Sequence, residues 1–89
     1  MIEREVRIVN RLGLHARAAA KMVHLAGGFA SAIKVAKDGE AVDGKSILGL
    51  LLLAAAQGST IVLSCDGEDE DEAMTALVEL VVSRFGEDG

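Results

Sequence analysis

The sequence holds one cysteine and only two aromatic residues, both phenylalanine. A single thiol, Cys65, can form no disulfide within the chain and no cysteine cluster for a structural metal. Because it lies in an alternating apolar segment, we predict that Cys65 is a small core residue. This use of cysteine is typical of a reducing cytoplasm. The net charge of −5 and the lack of an aromatic, basic patch argue against nucleic acid as a partner. They also argue against a small RNA-binding domain.

The sequence also lacks a continuous apolar run that would predict a membrane span. Residues 46–65 carry no charge and have the required length, but polar residues and glycine interrupt them at 57–60 and their second half alternates like a strand. The first eight residues carry charges where a signal peptide would have its apolar run. We therefore expect a cytoplasmic protein with no membrane insertion.

The spacing of apolar residues predicts the order of strands and helices. With 89 residues, the chain is long enough for one small domain, which we place at residues 1–89. Alternation predicts strands near residues 2–9 and 60–65 and a hairpin over 30–44 that turns at Asp38-Gly39. Helical spacing predicts a helix from Ala16 that Gly27-Gly28 ends in a left-handed turn, a second from Ile47 to about Ala56 that Gly58 ends, and an acid-rich final helix. The order β-α-β-β-α-β-α predicts an α+β fold with a four-stranded, mostly antiparallel sheet and three helices on one face.

The first and last helices each have a predicted buried stripe. In the first helix it consists of Ala16, Ala19, Ala20 and Val23, closed by Leu25 or Ala26, and in the last of Ala73, Leu77, Leu80, Val81 and the stem of Arg84. The five acids at 68–72 crowd the positive end of the final helix dipole. We interpret them as a solvated helix start and predict no metal site and no cofactor. The second histidine of the chain, His24, falls within the first helix, and we expect it on the surface.

The stretch RLGLHARAAAKMV places His15 at the start of the first predicted helix. The unbonded backbone amides of Ala16, Arg17 and Ala18 make such a helix start an anion site. The positive end of the dipole favours the neutral imidazole, which keeps a lone pair for attack. The planar guanidinium of Arg17 suits the oxygens of a phosphoryl group, so the pattern predicts phosphoryl transfer with the ring as nucleophile. The spacing alone leaves an alternative open, in which His15 only caps the helix and Arg17 is solvated.

The groups that a kinase would need for phosphoryl transfer from a nucleotide are missing from the sequence. The sequence has no glycine-rich loop for the phosphates of a nucleotide, no acidic metal cluster that would face His15, and no general acid near it. The chain is poorly equipped to extract a phosphoryl group from a nucleotide. A carrier of phosphoryl groups therefore fits better than a kinase.

Four stretches together resemble a known family: NRLGLHARAAAKMV, then GGF at 27–29, then DGKSILGLLLLAA, then GSTIVLSCDGEDEDEAMTAL. They are similar to the histidine-containing phosphocarrier protein (HPr) family of the phosphoenolpyruvate-dependent phosphotransferase system, nearly end to end. The resemblance implies an open-faced β-sandwich of the order given above. It also implies that Enzyme I phosphorylates His15 at Nδ1, that Arg17 supports the transfer, and that Enzyme IIA-type acceptors of a sugar or nitrogen branch receive the group. The family usually has proline after the arginine. Ala18 keeps the helix here but loosens that preorganisation.

Ser46 lies where the second helix should begin, and a serine is a favoured N-cap. The resemblance implies a second role, since in many members a dedicated HPr kinase/phosphorylase phosphorylates this serine. A dianion there would repel acidic docking surfaces. The alternative is a plain N-cap without regulation.

The second helix, ILGLLLLAAA, has more large apolar residues than one buried stripe can hold. We predict that Leu50 and Leu53 belong to the core. In the family this region docks Enzyme I and the acceptors, which makes Ile47, Leu48 and Leu51 the predicted partner contacts. Dimerisation through the same residues is the alternative, and we expect a monomer.

Two hypotheses for the function follow. The first is a phosphocarrier that acts through His15. The second is a regulatory binding module of the same fold that controls a partner protein without relaying phosphoryl groups. The presence of both His15 and Arg17 favours the first, while Ala18 leaves room for the second.

Overall fold

The computed structural model describes all 89 residues and has the predicted order of elements. The strands are β1 (Ile2–Arg7), β2 (Ala32–Lys37), β3 (Glu40–Asp43) and β4 (Thr60–Asp66). The helices are α1 (Ala16–Ala26), α2 (Ile47–Leu53) and α3 (Glu70–Val82), followed by a short 3₁₀ turn at Arg84–Gly86.

The four strands form one antiparallel sheet in the order β1-β4-β2-β3. Strand β4 lies in the interior of the sheet, where Cys65 is opposite both Ile2 of β1 and Ile33 of β2. Alternate residues of each strand point to opposite faces, and only one face carries the fully buried apolar side chains. The helices cover that face, as the α+β prediction requires. A cluster of 20 buried apolar residues fills the space between sheet and helices.

The hairpin between β2 and β3 turns as predicted. Asp38 and Gly39 have φ values of 52° and 86°. Two successive residues with positive φ match the right-handed twist of the flanking strands, which explains the preference for Asp-Gly here.

The buried stripe predicted for α1 is partly wrong. Ala19 and Ala26 are buried, but Ala16 and Ala20 are exposed, and the rest of the buried stripe consists of Ala18 and Met22. Alanines occupy so many positions of this helix that several apolar faces fit the pattern equally well. Packing against the other helices selects the face that carries Met22.

The predicted ends of α1 and α2 also need correction. Gly27 keeps a right-handed conformation (φ −63°), so α1 does not end in a left-handed glycine. Helix α2 ends at Leu53 rather than near Ala56, because Ala54 is left-handed (φ 50°). This early end lets Ala55 become buried and accept a hydrogen bond from the amide of Leu14 (2.8 Å). The tertiary contact with the segment before α1 therefore decides where α2 ends.

Helix α3 buries Ala73, Leu77 and Val81 as predicted, together with Met74. Leu80 is only half-buried, and Arg84 is exposed in the 3₁₀ turn beyond the helix, so its stem is not part of the stripe. Residue 84 has left the helix, with φ of 60°.

The acidic start of α3 is joined to the loop before β2 by one carboxylate. Asp69 accepts hydrogen bonds from the amides of Ala30 (2.8 Å) and Ser31 (2.9 Å) and from the Ser31 hydroxyl. The Ser31 hydroxyl, followed by the Ala30 amide, lowers the pKa of Asp69 because these donors favour the charged carboxylate. No group of three or more His, Cys, Asp or Glu side chains is arranged to hold a metal ion.

The remaining predictions about single residues concern burial. Cys65 is fully buried, and desolvation is the main cause that raises the pKa of its thiol. His24 is exposed. None of the helices combines the length and the apolar composition that a membrane crossing requires.

Candidate functional site

His15 is the N-cap residue of α1, with an extended backbone (φ −79°, ψ −179°). Its carbonyl accepts the first helical hydrogen bond, from the amide of Ala19 (2.8 Å). Its side chain does not cap the helix, and 27% of that side chain is exposed. The amides of Ala16, Arg17 and Ala18 precede the first donor of the helix and have no backbone acceptor. The first turn contains no acidic residue that would compete for them.

The segment before His15 is fixed by close contact with the segment that follows α2. Gly13 has φ of +67°, and a Cβ at this position would lie 2.5 Å from the carbonyl oxygen of Ala55. The next residue, Leu14, is buried and donates its amide to the same oxygen. Only glycine allows this approach, which sets the position of His15 two residues later.

The end of the chain brings a carboxylate to the ring. Glu87 contacts Nε2 of His15 through Oε2 and accepts a hydrogen bond from the Asn10 side-chain amide through Oε1 (3.0 Å). The hydrogen bond with His15 is the largest cause that lowers the pKa of Glu87, with smaller contributions from Asn10 and from the charge of Lys21. The sequence motif around His15 does not predict this carboxylate. The lowered pKa makes Glu87 a charged hydrogen-bond acceptor rather than a general acid.

Residues 84–89, which we call the tail, are held over the site by several contacts. Three successive positive φ values, at Arg84, Phe85 and Gly86, bend the chain back after α3. Phe85 is fully buried in the core, and its carbonyl accepts a hydrogen bond from the Lys21 ammonium group of α1. The carbonyl of Gly89 accepts the amide of Arg11 (2.8 Å). The buried phenylalanine and these bonds fix the position of Glu87 between them.

Three cations line the cleft that contains the ring, in a protein whose net charge is negative. Arg11, Arg17 and Lys21 line the same cleft as His15 and Glu87. Arg17 is exposed and makes neither a hydrogen bond nor an ion pair with the protein. Its guanidinium is thus available to an anion at His15, as the sequence pattern suggests.

Sequence reasoning missed Glu87, Asn10 and the tail, and no local signal could have revealed them. Glu87 lies 72 residues from His15 along the chain. The motif around His15 contains only short-range information. The buried Phe85 and the left-handed residues beside it are what bring the two together.

Ser46 and the apolar residues of α2 form a second region of interest. Ser46 is the N-cap of α2, and its hydroxyl accepts a hydrogen bond from the amide of Gly49 (3.1 Å). Leu50 and Leu53 are buried as predicted. The large apolar side chains that remain exposed on this helix are Ile47 (44%), Leu48 (68%), Leu51 (37%) and Leu52 (71%). Leu52, the most exposed of them, was not among the predicted contacts.

Comparison with known proteins identifies the family of the chain. The family model described as the PTS HPr component phosphorylation site matches residues 2–83. The phosphocarrier protein HPr of Cupriavidus necator is 54% identical over 87 residues, which cover 98% of each chain. The fold and the histidine site thus define a phosphocarrier of the phosphotransferase system. The chain belongs to the HPr family.

Solved structures give the same result. An HPr structure from Thermoanaerobacter tengcongensis superimposes with a TM-score of 0.96 at 47% identity and covers 100% of both chains. A second structure, described as an HPr dimer from the same organism, has a TM-score of 0.79 at 48% identity and covers 98% of this chain and 100% of the other.

Proposed function

We propose that His15 accepts a phosphoryl group at Nδ1 from phosphorylated Enzyme I and passes it to Enzyme IIA-type acceptors. The observation that carries this proposal is the contact between Glu87 and Nε2, which leaves Nδ1 as the nitrogen available for attack. A neutral ring with its proton on Nε2 has its lone pair on Nδ1. Nδ1 is also the nitrogen on which the family resemblance places the phosphoryl group.

The surroundings of His15 support a phosphoryl group as the cargo. The free amides at the start of α1 and the cleft cations Arg11, Arg17 and Lys21 offer donors and positive charge to phosphoryl oxygens. Arg17 is the residue to which we assign the supporting role, because it is exposed and has no partner within the protein. The phosphoryl group would supply that partner. Stabilisation of charge on the transferred group is the main contribution a protein makes to this kind of reaction.

The test is incubation of the protein with phosphoenolpyruvate and a cognate Enzyme I. The carrier function predicts an adduct that is labile in acid and stable in base, as expected for a phosphorus–nitrogen bond to imidazole. The His15→Ala variant should take up nothing, and His24→Ala, which changes the exposed second histidine, is the matched control that should react normally. If wild type forms no adduct, the carrier function is wrong, and the regulatory binding module becomes the better hypothesis.

We propose that α2 provides the docking surface for these partners and that Ser46 regulates it. The apolar residues Ile47, Leu48 and Leu51 are exposed beside an N-cap serine, so a phosphate on Ser46 would add negative charge at the edge of that surface. Leu48→Lys should weaken binding to Enzyme I without loss of stability, since the side chain is 68% exposed. An unchanged affinity would remove α2 from the docking surface.

A monomer in the cytoplasm completes the proposal. The free, buried thiol of Cys65 fits a reducing compartment. The same apolar residues could instead join two copies, and one solved relative is a dimer. Sedimentation equilibrium at micromolar concentration distinguishes the two states, and a dimer that Leu48→Lys dissociates would assign the α2 surface to self-association.

A further inference from the structure

We infer that Glu87 is a positioning residue that keeps the proton of His15 on Nε2 and thereby keeps the lone pair on Nδ1. The inference deepens the proposed carrier function and rests on it. It arises from a part of the chain outside both sequence motifs. The geometry that supports it is a chain of contacts from Gly13 through Asn10 and Glu87 to the ring.

Asn10 fixes the orientation of the carboxylate. Its side chain is fully buried, and its amide nitrogen donates to the carbonyl of Gly13 (2.8 Å) and to Oε1 of Glu87 (3.0 Å). Both N–H groups of the amide are therefore in use, while its oxygen has no partner. If the side-chain amide of Asn10 were rotated by 180°, it would lose both hydrogen bonds and its oxygen would lie against two acceptors. Asn10 thus acts as a permanent donor, and the second oxygen of Glu87 is left for the ring.

A carboxylate can only accept a hydrogen bond, so the nitrogen that meets it must carry the proton. With Oε2 of Glu87 at Nε2, a neutral ring is held in the form that has hydrogen on Nε2. Arg11, Arg17, Lys21 and Asp88 are the other charged side chains that line the cleft. None of them has a hydrogen bond to the ring that could favour the other form.

The same contact has a role after transfer. When Nδ1 attacks the phosphorus of phosphorylated Enzyme I, its lone pair forms the new N–P bond, and the bond from phosphorus to the donor breaks with its electron pair staying on the donor. The proton remains on Nε2, so the ring becomes positively charged and lies against the Glu87 carboxylate. On transfer to the acceptor, the N–P electron pair returns to the ring, which becomes neutral again. Glu87 is thus a charge partner for the phosphorylated ring in both directions.

The variant Glu87→Gln gives a sharp test because Asn10 must donate to it. The glutamine oxygen will accept from Asn10, which turns the glutamine NH₂ group toward Nε2. An NH₂ group donates a hydrogen bond, so it needs a lone pair on the nitrogen that it faces, Nε2. The ring proton should therefore move to Nδ1, which then has no lone pair for attack. Asp88→Asn is the matched control for the ring form. It removes one negative charge from the tail beside Glu87, and Asp88 itself has no hydrogen bond to the ring. Glu87→Ala, which removes the carboxylate altogether, should give a mixture of both ring forms.

The first measurement needs no Enzyme I. Nitrogen-15 NMR of the imidazole, at a pH where the ring is neutral, distinguishes the protonated nitrogen from the one with the lone pair. We expect wild type and Asp88→Asn to hold the proton on Nε2, and Glu87→Gln to hold it on Nδ1. An unchanged ring form in both Glu87→Gln and Glu87→Ala would overturn the inference, whatever happens to the rate.

The second measurement is the rate of phosphoryl transfer from Enzyme I. We expect a loss of about tenfold or more in Glu87→Gln, the order of effect that a hydrogen bond to a charged group contributes, and no change in Glu79→Gln, which alters an exposed glutamate of α3 that does not line the cleft. A slower transfer with an unchanged ring form would mean a merely structural role and would also overturn the inference. If wild type takes up no phosphoryl group, the carrier function fails, yet the NMR result still decides whether Glu87 positions the proton.

Discussion

Replacing Gly13 with alanine should destabilise the protein far more than replacing a second glycine that also has a positive φ. At Gly13 the new Cβ would lie 2.5 Å from the Ala55 carbonyl oxygen and 2.9 Å from the Cα of Ala56, both of them backbone atoms that cannot turn aside. The left-handed conformation costs an alanine about 1 kcal/mol, and forcing two packed backbones apart costs about 2 kcal/mol more. We therefore expect Gly13→Ala to lower the free energy of unfolding by about 3 kcal/mol.

Gly39→Ala is the matched control. Gly39 has φ of +86°, and a Cβ there would meet nothing within 4 Å, so only the conformational cost of about 1 kcal/mol should appear. Equilibrium unfolding in urea measures both variants, with the slope m as a check that the unfolded state is unchanged. Since His15 follows Gly13 by two residues, Gly13→Ala should also slow phosphoryl transfer. Equal losses of stability in the two variants would show that the contact with Ala55 does not constrain the site.

Three further predictions concern single side chains. Arg17→Glu should slow phosphoryl transfer from Enzyme I and leave the urea midpoint unchanged, because the side chain is exposed and has no partner within the protein; an unchanged rate would remove its assigned role. Ser46→Ala should cost about 1 kcal/mol in urea unfolding through loss of the bond to the Gly49 amide, whereas Ser46→Asp should keep the cap and weaken binding to Enzyme I in calorimetry; equal affinity would make the serine a cap only. The hydrogen bonds from Ser31 lower the pKa of Asp69 in the folded protein. The Asp69 carboxylate therefore contributes its full stabilisation of the fold above the unfolded pKa of about 4, and this contribution is lost as the pH falls through the folded pKa. The difference in melting temperature between wild type and Asp69→Asn should therefore shrink below about pH 4, and a constant difference would contradict the assignment.

Local patterns in the sequence were enough for much of the fold. The alternation of apolar residues identifies the strands because side chains of a strand point to opposite faces whatever lies beyond them. The turn at Asp38-Gly39 depends on positive φ values, and the cap at Ser46 depends on a hydrogen bond from the amide of Gly49. Each involves no more than four consecutive residues, so both can be predicted without the rest of the molecule. The motif around His15 places the ring at a helix start for the same reason.

Only the tertiary structure decided the features that depend on distant residues. The buried face of α1 depends on what packs against Ala18 and Met22, because a run of alanines is apolar on every side. The position at which α2 ends depends on the hydrogen bond between Leu14 and Ala55, and no helix-ending signal in the sequence predicts that bond. Glu87 reaches His15 across 72 residues because Phe85 is buried and bends the tail back over the cleft. The sequence by itself indicated His15 as the candidate nucleophile, whereas the folded tail decided which nitrogen of its ring contacts Glu87, since a hydrogen bond depends on position in space and not on separation along the chain.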